Sequence, residues 1–163
     1  MPALREENSP FTGSRAEWKT AFYKTAVSGK VEVGTTNIAG DGQADLRYHG
    51  GMDKAVCVYP SEHYPFWRQA LGFPIMEWGA FGENLSTEGL TEETVCLGDL
   101  FQSGETLFEI SQPRQPCWKL ARRWGIKNLA QLVEEQGFTG WYFRVRKPGF
   151  ISNGTPLLLI ERP

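Results

Sequence analysis

The sequence predicts a mainly β protein, a barrel carrying a few short helices, and three observations lead there. Short apolar or alternating runs recur along most of the chain with turn residues between them. Glycine and proline are abundant, 18 and 10 of 163 residues, so the chain reverses direction often. Helical periodicity appears in only three stretches, each of them short. The length fits one ordinary domain, read as an N-terminal segment over 1–15 and a domain over 16–163.

The first thirty or so residues are weakly patterned. Val31 and Val33 alternate with Lys30 and Glu32, the start of a strand. Gly40-Asp41-Gly42 and His49-Gly50-Gly51 are turn clusters. Ala55 to Tyr59 is β-rich without a polar member and is expected to cross the interior. Ser61 is placed to cap a helix bearing Tyr64, Trp67 and Leu71, with Pro65 in its first turn and Gly72 as its stop. Thr94–Leu97, Leu100–Gln102 and Thr106–Ser111 read as successive strands, the last two a hairpin around Ser103-Gly104-Glu105. After Pro116, Trp118, Ala121 and Trp124 share one helical face, with Arg122 and Arg123 opposite. Asn128 with Gln131 resembles a capping box for Leu129, Leu132 and Val133, and Gly137 ends that helix. Trp141, Phe143 and Val145 alternate with Tyr142, Arg144 and Arg146, a half-buried strand. The unbroken apolar run Leu157–Ile160 reads as a strand buried on both faces or in a barrel interior.

Charge and composition exclude several functions. Seventeen basic against nineteen acidic residues give a net charge of −2, without the positive field that drives general binding to nucleic acid. No window approaches the run of about 18 apolar residues that spans a membrane. The charged start Met1-Pro2-Ala3-Leu4-Arg5-Glu6-Glu7 lacks the apolar core of a signal peptide. Three cysteines in no paired pattern argue against a disulfide framework or a zinc knuckle, so a reducing cytoplasm is expected. No P-loop or dinucleotide fingerprint is present.

Chemistry concentrates in three clusters. Cys57 and Cys96 sit in apolar runs and read as small buried hydrophobes. Cys117 differs, because it follows Gln112-Pro113-Arg114-Gln115-Pro116 and opens a helix. A helix start and a nearby arginine favour thiolate over thiol. Position alone fits equally an ordinary cysteine packed beneath a helix. His49, with Gly50, Gly51, Asp53 and Lys54, is either a tight turn or a donor cluster for an anionic ligand. Gly82-Glu83-Asn84 places an amide side chain beside flexible backbone, or is simply a turn. If these clusters act together, His49, Lys54, Asn84, Arg114 and the Cys117 sulfur line one pocket, with Gly50, Gly51 and Gly82 offering backbone amides.

In order, His49-Gly50-Gly51-x-Asp53-Lys54-Ala55, Tyr59-Pro60, Phe81-Gly82-Glu83-Asn84-Leu85-Ser86, Gly98-Asp99 and Ser111-Gln112-Pro113-Arg114-x-Pro116-Cys117 resemble the MOSC domain, named for the C-terminus of molybdenum cofactor sulfurase. The resemblance runs from about Lys30 to the C-terminus, with weaker support back to Phe11, and is greatest to the bacterial branch containing 6-N-hydroxylaminopurine resistance proteins. It implies a MOSC-type β-barrel and a bound molybdenum cofactor (molybdopterin), with Cys117 as catalytic residue and molybdenum ligand. His49, Gly50, Gly51, Lys54, Gly82, Asn84 and Arg114 fall at motif positions suited to holding pterin and phosphate. The implied activity is reduction of N-hydroxylated bases or related N-oxygenated compounds. The chain shows no flavin or iron–sulfur signature, so a separate reductase, a flavoprotein by expectation, is the implied electron donor. Neither a nucleic acid polymer nor a membrane is an expected partner. Relatives in this branch carry a helical extension after the barrel, whereas this sequence reaches Pro163 just past its last expected strand. A non-catalytic cofactor or sulfur carrier and an anion-binding module are the alternatives.

Overall fold

The computed structural model describes residues 5–7, 18–20, 22–42, 47 and 50–163. Its strands are β1 (Arg5–Glu7), β2 (Trp18–Thr20), β3 (Lys30–Val33), β4 (Val56–Pro60), β5 (Leu85–Thr87), β6 (Leu100–Ser103), β7 (Thr106–Pro113), β8 (Trp141–Lys147), β9 (Gly149–Ser152) and β10 (Leu158–Glu161). The helices with described bounds are α1 (Tyr64–Leu71), α2 (Trp118–Trp124) and α3 (Leu129–Gln136). Six strands form one sheet in the order β10-β6-β7-β8-β4-β5, and β1-β2 and β3-β9 form two-stranded pairs. Neighbours in the large sheet are antiparallel except β4 and β5. Register shifts in β7 against β8 add twist, and the sheet curls into a half-barrel.

Strand β4 shows how the core is divided. All five of its residues are buried, and alternation sends them to opposite faces. Val56 and Val58 join Val33, Phe101, Phe108, Ile110, Phe143 and Val145 inside the curled sheet. Tyr59 joins Tyr64, Trp67, Phe81, Leu120 and Leu129 in a second cluster beneath the helices. A strand covered on both faces has no polar residue, as the sequence suggested.

The hairpin β6–β7 closes through Gly104-Glu105, with Ser103 opposite Thr106. Gly72 and Gly137 end α1 and α3 in the left-handed conformation, and Pro65 lies in the first turn of α1. Several local expectations are corrected. Ser61 does not cap α1; its hydroxyl donates instead to the Thr87 carbonyl at 2.7 Å. Asn128 takes the N-cap position of α3 without a side-chain bond, and Gln131 pairs with Glu135 instead of closing a capping box. In α2 the buried residue is Leu120, while Trp118 is 57% exposed. Thr94–Leu97 is a turn rather than a strand, which leaves Cys96 exposed. There the buried Asp99 carboxylate accepts the Cys96 N–H and an ion pair from Arg162, pinning a reversal where sheet pairing was expected.

The largest departure is β10. Leu158, Leu159 and Ile160 are 57%, 46% and 49% exposed, not buried. Strand β10 pairs only with β6 and forms the sheet's edge, so nothing among the described residues covers its outer side.

Candidate functional site

A cleft opens where β4, the Gly82 turn and the loop after β7 meet. It encloses about 590 Å³, part of it open to solvent, and is lined by Lys24, Asp41, Lys54, Cys57, Gly82, Asn84, Arg114, Cys117, Lys119 and Tyr142 among others. The three sequence clusters therefore contribute to one concavity. His49 lies outside the described residues.

Each lining residue arrives by a local cause. Lys54 ends a 3-10 turn, Met52–Lys54, that begins after Gly51. Gly51 has φ 98°, a backbone angle that disfavours any side chain. Gly50 and Gly51 do not line the cleft; Gly51 accepts the Lys54 N–H and shapes the turn that delivers Lys54. Gly82 does line it, but its N–H donates to the Gly79 carbonyl and is not open to a ligand. Glycine is needed there because φ is 76° and a Cβ would stand 2.6 Å from the Phe22 ring. The adjoining Glu83 is buried and ties the turn together. Its carboxylate accepts the Tyr64 hydroxyl, the Gly79 and Phe81 N–H groups and the Ser86 hydroxyl.

Asn84 is held from both ends. Its backbone N–H donates to the Cys57 carbonyl at 2.8 Å, and its Oδ1 accepts the Cys57 N–H at 2.9 Å. Its Nδ2 donates to Asp41 Oδ2. Asn84 thus fixes Asp41 against the strand and presents little of its own amide. Asp41 also forms an ion pair with Lys24.

Arg114 and Cys117 come from the loop between β7 and α2. The Arg114 N–H donates to the Gly140 carbonyl, and its Nη2 donates to the Phe81 carbonyl at 2.5 Å. Although only 7% exposed, its other guanidinium N–H groups have no hydrogen-bond partner among the described residues. Burial opposes the charge, but Cys57, Tyr142, Glu83 and Cys117 around it more than offset this and hold its pKa above the ordinary value. Cys117 sits at the N-cap position of α2, partly exposed, with its carbonyl accepting the Leu120 N–H. Cys57, on the cleft's inner wall, is buried, and burial pushes its thiol pKa up. The Tyr142 phenol is likewise pushed up by burial and stays protonated.

Among the described residues four cations, Lys24, Lys54, Arg114 and Lys119, and one carboxylate, Asp41, border the cleft. That balance suits an anionic ligand. Sequence reasoning missed Lys24, Asp41, Cys57, Lys119 and Tyr142. Gly40-Asp41-Gly42 was legible as a turn, but nothing local tied Asp41 to Asn84. Tyr142 falls in the row read as solvent-facing, yet it is only 8% exposed. It faces the cleft rather than open water.

A curled half-barrel sheet with a thiol and a buried arginine at one loop-lined cleft defines the class, a mainly β domain. The MOSC domain profile matches residues 45–157, and the chain belongs to this family. It is 49% identical over 93% of its length to the uncharacterized protein YflK of Bacillus subtilis, covering 67% of that protein. It is 44% identical over 88% of its length to protein YiiM of Escherichia coli, covering 65% of it. A Gibberella moniliformis protein named reductase is 39% identical over 90% of the chain, which covers 27% of that protein. Among solved structures, YiiM from Geobacillus stearothermophilus superposes with a TM-score of 0.77 at 40% identity, over 99% of this chain and 75% of that one. The chain thus spans about two thirds of the length of its bacterial relatives.

Proposed function

We propose that the cleft binds a molybdenum cofactor with Cys117 as the protein's ligand to the metal, and that the protein reduces N-hydroxylated bases or related N-oxygenated compounds. One observation carries this reading: a buried arginine with N–H donors that no described residue claims shares a cleft with a partly exposed thiol. A guanidinium held this way is suited to a phosphate. Among the described residues no group of three His, Cys, Asp or Glu side chains is gathered to hold a metal ion by itself. A single thiolate fits a metal that arrives with its own sulfur ligands, and a soft donor is what such a metal selects. The donor set therefore fits the group that the MOSC family implies.

When bound, the cofactor supplies two-electron oxygen-atom chemistry. Around it, Arg114, Lys54 and Lys119 neutralise the phosphate, because a buried charge without partners is costly. The protonated Tyr142 hydroxyl offers a hydrogen-bond donor at the wall. Overall, R–NHOH takes up two electrons and two protons, the N–O bond breaks, and R–NH2 and water leave. A separate flavoprotein delivers the electrons. The working compartment on this reading is the cytoplasm; no helix among the described residues is long and apolar enough to cross a membrane.

Metal and pterin analysis of protein made in a cofactor-producing host tests the proposal, followed by turnover of a hydroxylamino purine with a chemical reductant. Molybdenum near one equivalent in the wild type and its loss in a folded Cys117→Ser variant is the expected result. Metal retained by that variant would overturn the ligand assignment. Full cofactor without turnover would leave a carrier, and no metal at all an anion-binding module.

A further inference from the structure

The cleft is not uniformly cationic. Besides Arg114, Lys54 and Lys119 its lining includes Asp41, which the Asn84 amide and Lys24 hold in place. The Asp41–Lys24 pair is nearly sealed, with side chains 6% and 13% exposed. A sealed ion pair is weak support for stability, since the cost of desolvating both ions can exceed their attraction. Its consequence is geometric. Among the described residues each Asp41 oxygen accepts one bond, from Lys24 at Oδ1 and from Asn84 at Oδ2. An ionised carboxylate has about four acceptor sites, so acceptor capacity remains beside the cleft.

We infer that Asp41 is a binding residue for a neutral, N–H-bearing ring edge, the 2-amino and N3–H edge of an aminopyrimidinone, with Asn84 and Lys24 as its positioning residues. The ligand that fills the cleft is then bipolar: its anionic group lies toward Arg114, Lys54 and Lys119, and its N–H edge toward Asp41. A carboxylate accepting two parallel N–H groups forms a fork that fixes the plane of the ring as well as its position. Cations alone would grip the phosphate and leave the ring free to rotate. This inference rests on the proposed function, since a pterin carries that edge and a purine such as guanine carries it too.

Binding of small probes to cofactor-stripped protein, followed by fluorescence, tests this without any turnover. The probes are pterin, 3-methylpterin, which lacks the N3–H, and lumazine, in which an oxygen replaces the 2-amino group. Wild-type protein is expected to bind pterin about tenfold more tightly than either analogue, the scale of a lost charge-assisted hydrogen bond. In Asp41→Asn that preference should shrink to about twofold or less, with lumazine affinity little changed. A purely structural role for Asp41 would weaken all three probes together and leave their ratios unchanged, which overturns the inference. So would a wild type that binds pterin and 3-methylpterin equally, an arm that needs no variant to fold. Guanine separates the two sources of the edge. If Asp41 serves the cofactor, guanine binds only the stripped protein; if it serves a substrate base, guanine also binds protein that retains cofactor. Metal content reports separately on the Cys117 assignment, so either idea can fail alone.

Discussion

The two buried clusters of this domain are built from different chemistry. Inside the curled sheet, Val33, Val56, Val58, Phe101, Phe108, Ile110, Phe143 and Val145 pack with scarcely a polar atom. Beneath the helices, the cluster around Tyr59 and Phe81 is threaded with hydrogen bonds. Trp67 Nε1 donates to the Tyr59 hydroxyl at 2.7 Å, and Glu83 gathers four donors. Tyr59 and Phe81 stack at 4.3 Å between them. The first region needs only to hold strands together, which non-directional burial does well. The second must hold the Gly79–Asn84 turn at one wall of the cleft. Directional bonds specify a loop where apolar packing alone would allow several arrangements.

Three substitutions would break or sharpen that contrast. Phe143→Ala cuts into the sheet interior beside Phe101, Phe108 and Trp141. Its expected cost is the largest, about 3–5 kcal/mol in denaturant unfolding, with the cleft's ligand affinity unchanged in the molecules that stay folded. Glu83→Gln is the converse. It should lower stability by about 1–3 kcal/mol, because an amide N–H now meets one of the donors the carboxylate satisfied. Hydrogen exchange at Gly79 and Phe81 should rise well before global unfolding. Unchanged protection there would show that the turn is held by packing after all.

The smallest effect is pH-dependent. Glu92 links the helical side to the sheet, accepting from His63 Nε2 at 2.7 Å and from the Gly140 N–H at 2.7 Å. Burial raises its pKa, but the His63 and Gly140 hydrogen bonds outweigh that and hold the carboxyl below its ordinary value. A lowered folded-state pKa contributes stability that is present above the unfolded value and lost as pH falls through the folded one. Below the ordinary glutamate value of 4.5, wild-type thermal midpoints should therefore fall more steeply than those of Glu92→Gln. Parallel pH profiles for the two proteins would remove Glu92 from the acid response.

Much of this was legible in the residues themselves. Alternation marked β8, the unbroken run at 55–59 marked a strand covered on both faces, and glycines marked the ends of α1 and α3. These are short-range signals, set by side-chain direction along a strand or by backbone angles only glycine adopts readily. The order of motifs identified the family and singled out Lys54, Asn84, Arg114 and Cys117, all of which line the cleft. Composition could not show that Leu158–Ile160 lies at an edge, because exposure depends on how many strands stand beside it. Nor could it join Asp41 to Asn84, 43 positions away, or show that the Gly82 amide is already engaged. The sequence by itself marked β3, β4, β6, β7, β8 and β10, many of the turns between them, and which residue types can bind an anion or a metal. Only the tertiary structure decided which of those residues meet and which donors are left for a ligand, because burial and hydrogen-bond pairing are set by contacts between distant segments.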